Sequence, residues 1–452
     1  MSSLTRKIAE GTALFASSNL ITSLVGFLTF LVIVRTLGRL DYGLVVLALS
    51  AIGIVTIFLD PGIGGVIITD ATREIGENKQ SRAKNLLVRY AQFEIFAGIL
   101  IFVAVFSANN YFEAKYSGLI ANLVKIASFM VLLTAIRNIY ITTFNSHMEF
   151  KYTFLTNTVQ SVSRLLFVIL FLWIFKLGVY GAMISYPASM STSILFTTPL
   201  FLRVTSRYRE ISMEKGNLLF RTLKAHGKWV IALIPFKRAG GHAPPWLIQL
   251  FLGVEAVALF QVAQRTASLI SSLIHPLESV LMPVISREIH DEARVSKIVS
   301  KSIKYSFWLA LVVISGALIA APPLFDILFG SGYNASILLF RILMFNAAIY
   351  SFSVVIRPIL YGLKAQKYLF RSYAVFMLIF IIAGATLIPI LGLTGIGLAV
   401  LIRGLVALLL RYRYVKMLSE IRINIADIIR FDDYDRELLR KVRTHIRKRL
   451  KR

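Results

Sequence analysis

Apolar residues in this chain come in long unbroken runs rather than in stripes that alternate with polar positions. Runs without a charge occupy 11–34, 42–59, 95–112, 177–202, 305–325 and 372–402. A helix needs about 20 mostly apolar residues to cross a bilayer core, so each run reads as a membrane span. The last is long enough for one helix and part of another, divided near Pro389, Leu391 and Gly392. Stretches 118–136, 154–175, 256–277 and 335–356 join them if one internal cation is admitted in each: Lys125, Arg164, Arg265 and Arg341. Segment 229–252 is interrupted by Lys237, Arg238, Gly240, Gly241, Pro244 and Pro245, which predicts a broken seventh helix. With 393–410 as the last, the pattern predicts an all-α integral membrane protein of twelve transmembrane helices.

Composition narrows the class. Hydrophobic residues make up 57% of the 452 positions and charged residues 16%. Soluble domains average about 45–50% apolar and about 25% charged, so disorder, a coiled coil and a soluble enzyme are poor fits. The apolar run from Gly11 exceeds the h-region of a signal peptide, about 7–15 residues. The absence of cysteine excludes disulfides, CxxC redox pairs, iron–sulfur clusters and thiolate metal sites. The net charge is +27. With the N-terminus inside and the connections assigned alternately, inner segments carry 38 of the 50 Lys and Arg residues and outer ones carry 4. The positive-inside rule then places both termini in the cytoplasm, in a cell membrane, and explains the charge without nucleic acid.

The chain also repeats itself. Leu37-Gly38 and Pro61 return as Leu252-Gly253 and Pro276, and Lys151-Tyr-Thr-Phe154 as Lys367-Tyr-Leu-Phe370. Tyr116 and Lys125 match Tyr333 and Arg341, and Leu177-Gly-Val-Tyr-Gly181 matches Leu391-Gly-Leu-Thr-Gly395. The offset stays between 214 and 217 and spans six helices, so the copies enter the bilayer in the same direction. Two parallel-repeat six-helix lobes around a central cavity follow. The expected organisation is an N-lobe at 1–202, a basic cytoplasmic linker at 203–228, a C-lobe at 229–412 and a basic amphipathic tail at 413–452. Helical spacing in that tail, with Arg and Lys opposite the apolar positions, fits an interfacial helix on anionic lipids or a dock for glycan-assembly proteins.

Several motifs resemble a known family. Arg35-Thr-Leu-Gly38 with Asp41-Tyr-Gly-Leu44, Asp60-Pro-Gly62, Phe329-Gly-Ser-Gly-Tyr-Asn-Ala335 and the Leu-Gly-x-x-Gly pattern at 391–395 are similar to those of Wzx-type polysaccharide flippases. These belong to the multidrug/oligosaccharidyl-lipid/polysaccharide exporter superfamily. The resemblance covers about 1–415 and implies a transporter that moves a polyprenyl-pyrophosphate-linked oligosaccharide between leaflets. One departure is 237–246, Lys-Arg-Ala-Gly-Gly-His-Ala-Pro-Pro-Trp, where the family's helix is more continuously apolar.

Ionisable groups at membrane depth are costly and mark cavities or partners. The candidates for a substrate-binding cationic cavity are Arg164, Arg265, Lys125, Arg341, Lys237, Arg238 and Arg403. Their surplus over embedded acids suits a pyrophosphate or an acidic sugar, since arginine forks match phosphate oxygens. The competing reading is that they cap carbonyls, pair with neighbouring helices or reach the interface. Asp60 and Glu278, beside Pro61 and Pro276, are candidates for coupling or hinge roles, and Glu94 is the other acid at depth. Asn334-Ala-Ser336 has the form of a glycosylation acceptor. No Walker loop or H-E-x-x-H motif occurs, so neither a built-in ATPase nor a cofactor or metal is expected. A cation-coupled drug exporter would need acids deep in the first lobe, and helix one has none. A sugar polymerase or ligase would need a larger outer loop with catalytic Arg or His.

Overall fold

A computed structural model describes residues 21–115, 118–224, 228–272 and 276–421, and every regular element in them is helical. In chain order the elements begin with α1 (Ile21–Thr36) and α2 (Arg39–Leu59). Next come α3 (Ile63–Gly76), α4 (Gln80–Ser107), α5 (Asn109–Lys115) and α6 (Gly118–Ser146). α7 (Phe150–Ile169) is prolonged by a π turn to Ile174 and followed by α8 (Gly178–Thr205) and the short α9 (Leu218–Thr222). The second set is α10 (Lys228–Leu252), α11 (Val254–Ser271), α12 (Pro276–Glu288) and α13 (Glu292–Phe329). It ends with α14 (Ala335–Gly362), α15 (Gln366–Leu391) and α16 (Leu393–Leu418). Among the described residues, eight helices are individually long and apolar enough to span a membrane: α2, α4, α6, α7 and α13 to α16. The described part of α1, the 28-residue α8, the 25-residue α10 and the interrupted α11–α12 complete twelve.

The break between α2 and α3 is local chemistry. Pro61 has no amide to continue the helix, and Gly62 takes φ 103°, which costs a glycine little. Asp60 Oδ1 then accepts the amides of Gly62 and Gly64, both at 3.0 Å, and starts α3. In the second set, α11 ends at Ser271 and α12 opens at Pro276.

The repeat is visible bond by bond. Met148 and Lys364, 216 positions apart, both adopt positive φ, 58° and 53°. Around them Glu149 N donates to Phe144 O and Ala365 N to Leu360 O, each at 2.9 Å. Packing repeats as well: α2 and α3 lie on α6 as α11 and α12 lie on α14, and α6–α8 and α7–α8 are matched by α14–α16 and α15–α16. In the Leu-Gly-x-x-Gly turns, a β-carbon on Gly395 would run into the Leu387 carbonyl, and one on Gly181 would come within 3.1 Å of the Phe171 carbonyl. The second glycine is therefore needed where each turn crosses the preceding helix.

The seventh span departs from expectation. α10 is continuous through Gly240, Gly241, Pro244 and Pro245. Pro244 cannot donate to the Gly240 carbonyl four residues earlier, but Arg403 Nη1 from α16 does so at 3.2 Å. A neighbouring helix thus supplies the missing hydrogen bond. α16 also runs past 412 to Leu418, and Ile421 beyond it is buried. Tyr116 and the tail from 422 onward lie outside the described residues.

The core is arranged unequally along the spans. Near the α1–α2 turn (the hairpin end), one apolar cluster runs through both lobes, joining Phe30, Tyr42 and Val45 to Val257, Phe325 and Phe340. Towards the end that carries α9 and the described part of the connection, 206–224 (the linker end), each lobe has its own cluster. One is built around Ile67, Leu86 and Tyr90, the other around Ile285, Val299 and Ile359. The lobes share one core at the hairpin end, whereas at the linker end each keeps its own cluster and they meet along α2 and α10, where Ile231 packs on the N-lobe cluster.

Candidate functional site

Between the lobes, α1, α2, α7, α8 and α11 enclose a cleft in two connected parts. The wider part, about 420 Å³, is lined by Thr22, Ser23, Gly26 and Phe27 of α1, Ser161 and Arg164 of α7, and Arg265, Ser268, Leu269 and Ser272 of α11. The narrower part, about 40 Å³, reaches toward the hairpin end past Phe30, Ile33, Tyr42, Val46 and Tyr186. Arg164 and Arg265 line both parts. The Arg164 guanidinium lies over the Tyr186 ring at 4.9 Å, and its buried Nε has no hydrogen-bond partner. Arg265 lies over Phe30 at 5.6 Å, with the Tyr42 hydroxyl beside it. None of the described residues lining the cleft is acidic.

The cleft is closed on two sides. At the hairpin end, Arg35 of the N-lobe donates through Nε to Leu328 O at 2.8 Å and through Nη2 to Ile327 O, covering the C-terminus of α13. Arg39 pairs with Glu255 across the lobes at 3.7 Å, and Phe30 meets Phe329 at 5.6 Å. Along the α2–α10 seam, Ser50 Oγ donates to His242 O at 2.5 Å and Arg238 Nη1 to Asp60 O at 2.9 Å. Gly53 leaves room there for the His242 ring, which a β-carbon would strike. The α1–α11 side, where Thr22, Ser23, Ser268 and Ser272 stand, holds the wider part of the cleft.

Of the seven cations singled out from sequence, only Arg164 and Arg265 are brought together in this cleft. Lys125 is exposed on α6 with its ammonium over the Phe106 ring at 4.9 Å, among the half-exposed aromatic residues Phe102 and Phe129. Arg341, its repeat partner, is exposed on α14. Lys237 and Arg238 are exposed on α10, where Arg238 serves the seam. Arg403 fills the vacancy left by Pro244 and lies over Phe380 at 5.1 Å. Asp60 caps α3, and Glu278 is bound by Arg357 Nη2 at 2.6 Å. Pro61 stands in the α2–α3 break and Pro276 at the start of α12. Ser336 is buried with its hydroxyl on Leu259 O at 2.9 Å, so the acceptor-like triplet at 334–336 serves helix packing.

Sequence reasoning missed the cleft's aromatic and hydroxyl lining. Tyr42 and Tyr186 give the guanidiniums ring faces and hydroxyls, while Thr22, Ser23, Ser161, Ser268 and Ser272 wet an otherwise apolar wall. The available signal was the clustering of hydroxyl residues on one face of spans one, five and eight.

The fold is shared with solved transporters. An inward-facing multidrug resistance MATE family transporter of the MOP superfamily matches with TM-score 0.75 at 16% identity, covering 88% of this chain and 95% of that one. Lipid II flippase MurJ in an inward closed conformation matches with TM-score 0.71 at 15% identity, covering 92% and 89%. The eukaryotic MATE transporter AtDTX14 matches with TM-score 0.67 at 14% identity, covering 92% and 97%. No curated protein sequence matches the chain. The family model described as polysaccharide biosynthesis protein matches residues 8–289, more than half of the chain. The chain is therefore a multi-pass membrane protein of the polysaccharide biosynthesis protein family, with the fold of the solved MATE and MurJ transporters.

Proposed function

We propose that the protein is a flippase for a polyprenyl-(pyro)phosphate-linked oligosaccharide, working by alternating access in the cytoplasmic membrane. The observation that carries this reading is the convergence of Arg164 and Arg265 in one inter-lobe cleft without an acidic lining residue. Two guanidiniums in such a cleft bind an anion with forked hydrogen bonds, and hydroxyl and aromatic neighbours suit a glycan. A cationic drug would meet repulsion at the same place. MurJ is named as a flippase of lipid II, which agrees with a lipid-linked substrate.

The wider part of the cleft lies on the α1–α11 side, so a polyprenyl tail can stay in lipid while its head group enters. The linker end faces the cytoplasm, in keeping with its Lys and Arg content, so the lobes are fused at the outer end and the cleft accepts substrate from the inner leaflet. Two unpaired cations favour the open cleft until an anion bridges them, which couples closure to loading. The basic tail rests on anionic lipid. No step requires bond-making chemistry by the protein, so it is a transporter and not an enzyme.

Arg265→Ala and Arg164→Ala should each lower flipping about tenfold or more in a complementation assay, given about 1.5–3 kcal/mol for a charged hydrogen bond and about 1.4 kcal/mol per factor of ten. Membrane insertion and expression should be unchanged. Arg265→Lys should keep part of the activity, because charge survives while the planar fork is lost. Normal transport by both alanine variants and by the double variant would refute the cationic-cleft mechanism.

A further inference from the structure

A second groove, of about 510 Å³, lies on the N-lobe at the linker end, where α4 and α8 flank the last turns of α6. It is remote from the inter-lobe cleft: Tyr186 of the cleft precedes Phe201 of the groove by 15 residues, about 22 Å along α8. On α4 the groove is lined by Lys84, Leu87, Val88 and Ala91, a spacing that puts all four on one helical face over about 10 Å. On the opposite wall stand Phe201 and Leu202, the last residues of the charge-free run 177–202, and then Thr205, Ser206 and Arg209. The groove therefore straddles the end of the apolar span. One half is hydrocarbon, and the other carries hydroxyls and two cations.

The apolar half is preformed. Phe201 stacks on the Tyr140 ring of α6 at 4.2 Å, and the Tyr140 hydroxyl is bonded to Thr198 Oγ1 at 3.0 Å. Leu202 is exposed beside it. In the polar half, Lys84 Nζ donates to Tyr208 O at 2.8 Å and to Ile211 O at 2.6 Å, which leaves the third N–H of the ammonium. The Arg209 guanidinium is exposed and has no hydrogen-bond or ion-pair partner among the described residues. Arg207 pairs with Glu149 at 3.4 Å, and the exposed Glu210 does not line the groove. None of the described lining residues is acidic. The Thr205 and Ser206 hydroxyls donate to Phe201 O and Arg203 O, each at 2.9 Å, so toward the groove they act as acceptors.

This arrangement suits an anionic amphiphile. A hydrocarbon chain alone would leave the cations without a counter-charge, and a free anion would leave the apolar half uncovered. We propose that the groove binds a glycerophospholipid with an anionic, hydroxyl-bearing head group. Its phosphate takes the third N–H of Lys84 and the forked donors of Arg209, and its head-group hydroxyls donate to Thr205 and Ser206. One acyl chain follows Leu87, Val88, Ala91 and Leu202. Lys84 already holds the Tyr208 and Ile211 carbonyls, so the bound lipid ties the connection after α8 to α4. The site is independent of the flippase reading and of which membrane face the linker end occupies.

The test uses the purified full-length protein in phosphatidylcholine nanodiscs with a trace of phosphatidylglycerol that carries a photoactivatable group in one acyl chain. Crosslinks mapped by mass spectrometry should concentrate on Leu87, Val88 and Leu202 over the equally lipid-accessible Val312 and Ile319 of α13. Unlabelled phosphatidylglycerol should displace them at least about fivefold more effectively than phosphatidylethanolamine. That factor corresponds to about 1 kcal/mol per basic residue near an anionic surface, at about 1.4 kcal/mol per factor of ten. Arg209→Gln should lower labelling about fivefold, and Ala91→Phe, which fills the apolar half without changing charge, should also lower it. Lys215→Gln removes a cation at the same end but outside the groove and should leave labelling unchanged. The proposal is overturned if the crosslinks spread evenly over lipid-facing residues or if the two competitors displace them alike. It is equally overturned if Arg209→Gln or Ala91→Phe labels like the native protein, or if Lys215→Gln weakens labelling as much as Arg209→Gln.

Discussion

Arg403 shows how an embedded cation can serve the backbone. Its guanidinium stands in for the amide that Pro244 lacks, so Gly240 O is satisfied inside the membrane. Arg403→Met should destabilise the protein by about 1–3 kcal/mol, the cost of a buried acceptor left open. The penalty should shrink in a Pro244→Ala background, where the helix regains its own donor, and a double-mutant cycle of thermal unfolding in detergent measures the coupling. Arg357 carries more, because its loss strands Glu278. Arg357→Ala should cost about 3–5 kcal/mol, with partial recovery when Glu278→Gln removes the unpaired charge. Arg265 differs from both in facing the cleft from an exposed position, which leaves it free for a ligand.

Turns and helix pairs decide how these side chains are presented. The turn from α6 to α7 is pinned by His147, which bonds Thr143 O at 2.8 Å through Nδ1 and the Tyr208 hydroxyl at 2.9 Å through Nε2. Burial, against a smaller opposing effect of the Thr143 carbonyl, holds this imidazole below its usual range. A depressed folded value means that the unfolded chain binds the proton first, so this contribution to stability is present above about pH 6.5 and is lost as pH falls through that region. Thermal unfolding compared at pH 5 and pH 8 should show the loss, and His147→Gln should reduce the difference. Between the lobes, α2 crosses α11 where Gly43 meets Val254. Its β-carbon would strike the Val254 carbonyl, so Gly43→Ala should cost about 1–3 kcal/mol through overpacking and loosen the hairpin end.

Taken as one body, the protein has a core shared by both lobes at the hairpin end and separate cores joined by the α2–α10 seam at the linker end, the geometry from which two lobes can rock. The Arg39–Glu255 pair, 44% and 58% exposed, contributes only about 0–1 kcal/mol to the closed end. The shared apolar cluster and the covering of α13 by Arg35 provide most of that closure. Topology follows from the same picture. A reporter fused at Lys215, on the linker, should give a cytoplasmic signal, and one near Tyr333, after α13, an external signal. The same side for both would reject the assigned sidedness.

Twelve spans, an all-helical fold and a repeat of about 215 residues could be read from the linear chain, because bilayer thickness sets run length and duplication preserves spacing. Position along a span could be read too, since residues rise a constant 1.5 Å along a helix. The face of the helix on which a residue lies could not. Arg164 and Arg403 both sit mid-span, yet one lines the cleft and the other serves a neighbouring helix. Lys125 and Arg341 obey the repeat and lie outside the cleft. Helix seven reads as broken because Pro244 removes a local donor, and it is whole because Arg403, 159 positions away in the chain, provides one. Azimuth and partner are settled only when helices pack, since each buried polar group must find its bond wherever the neighbouring helix places it.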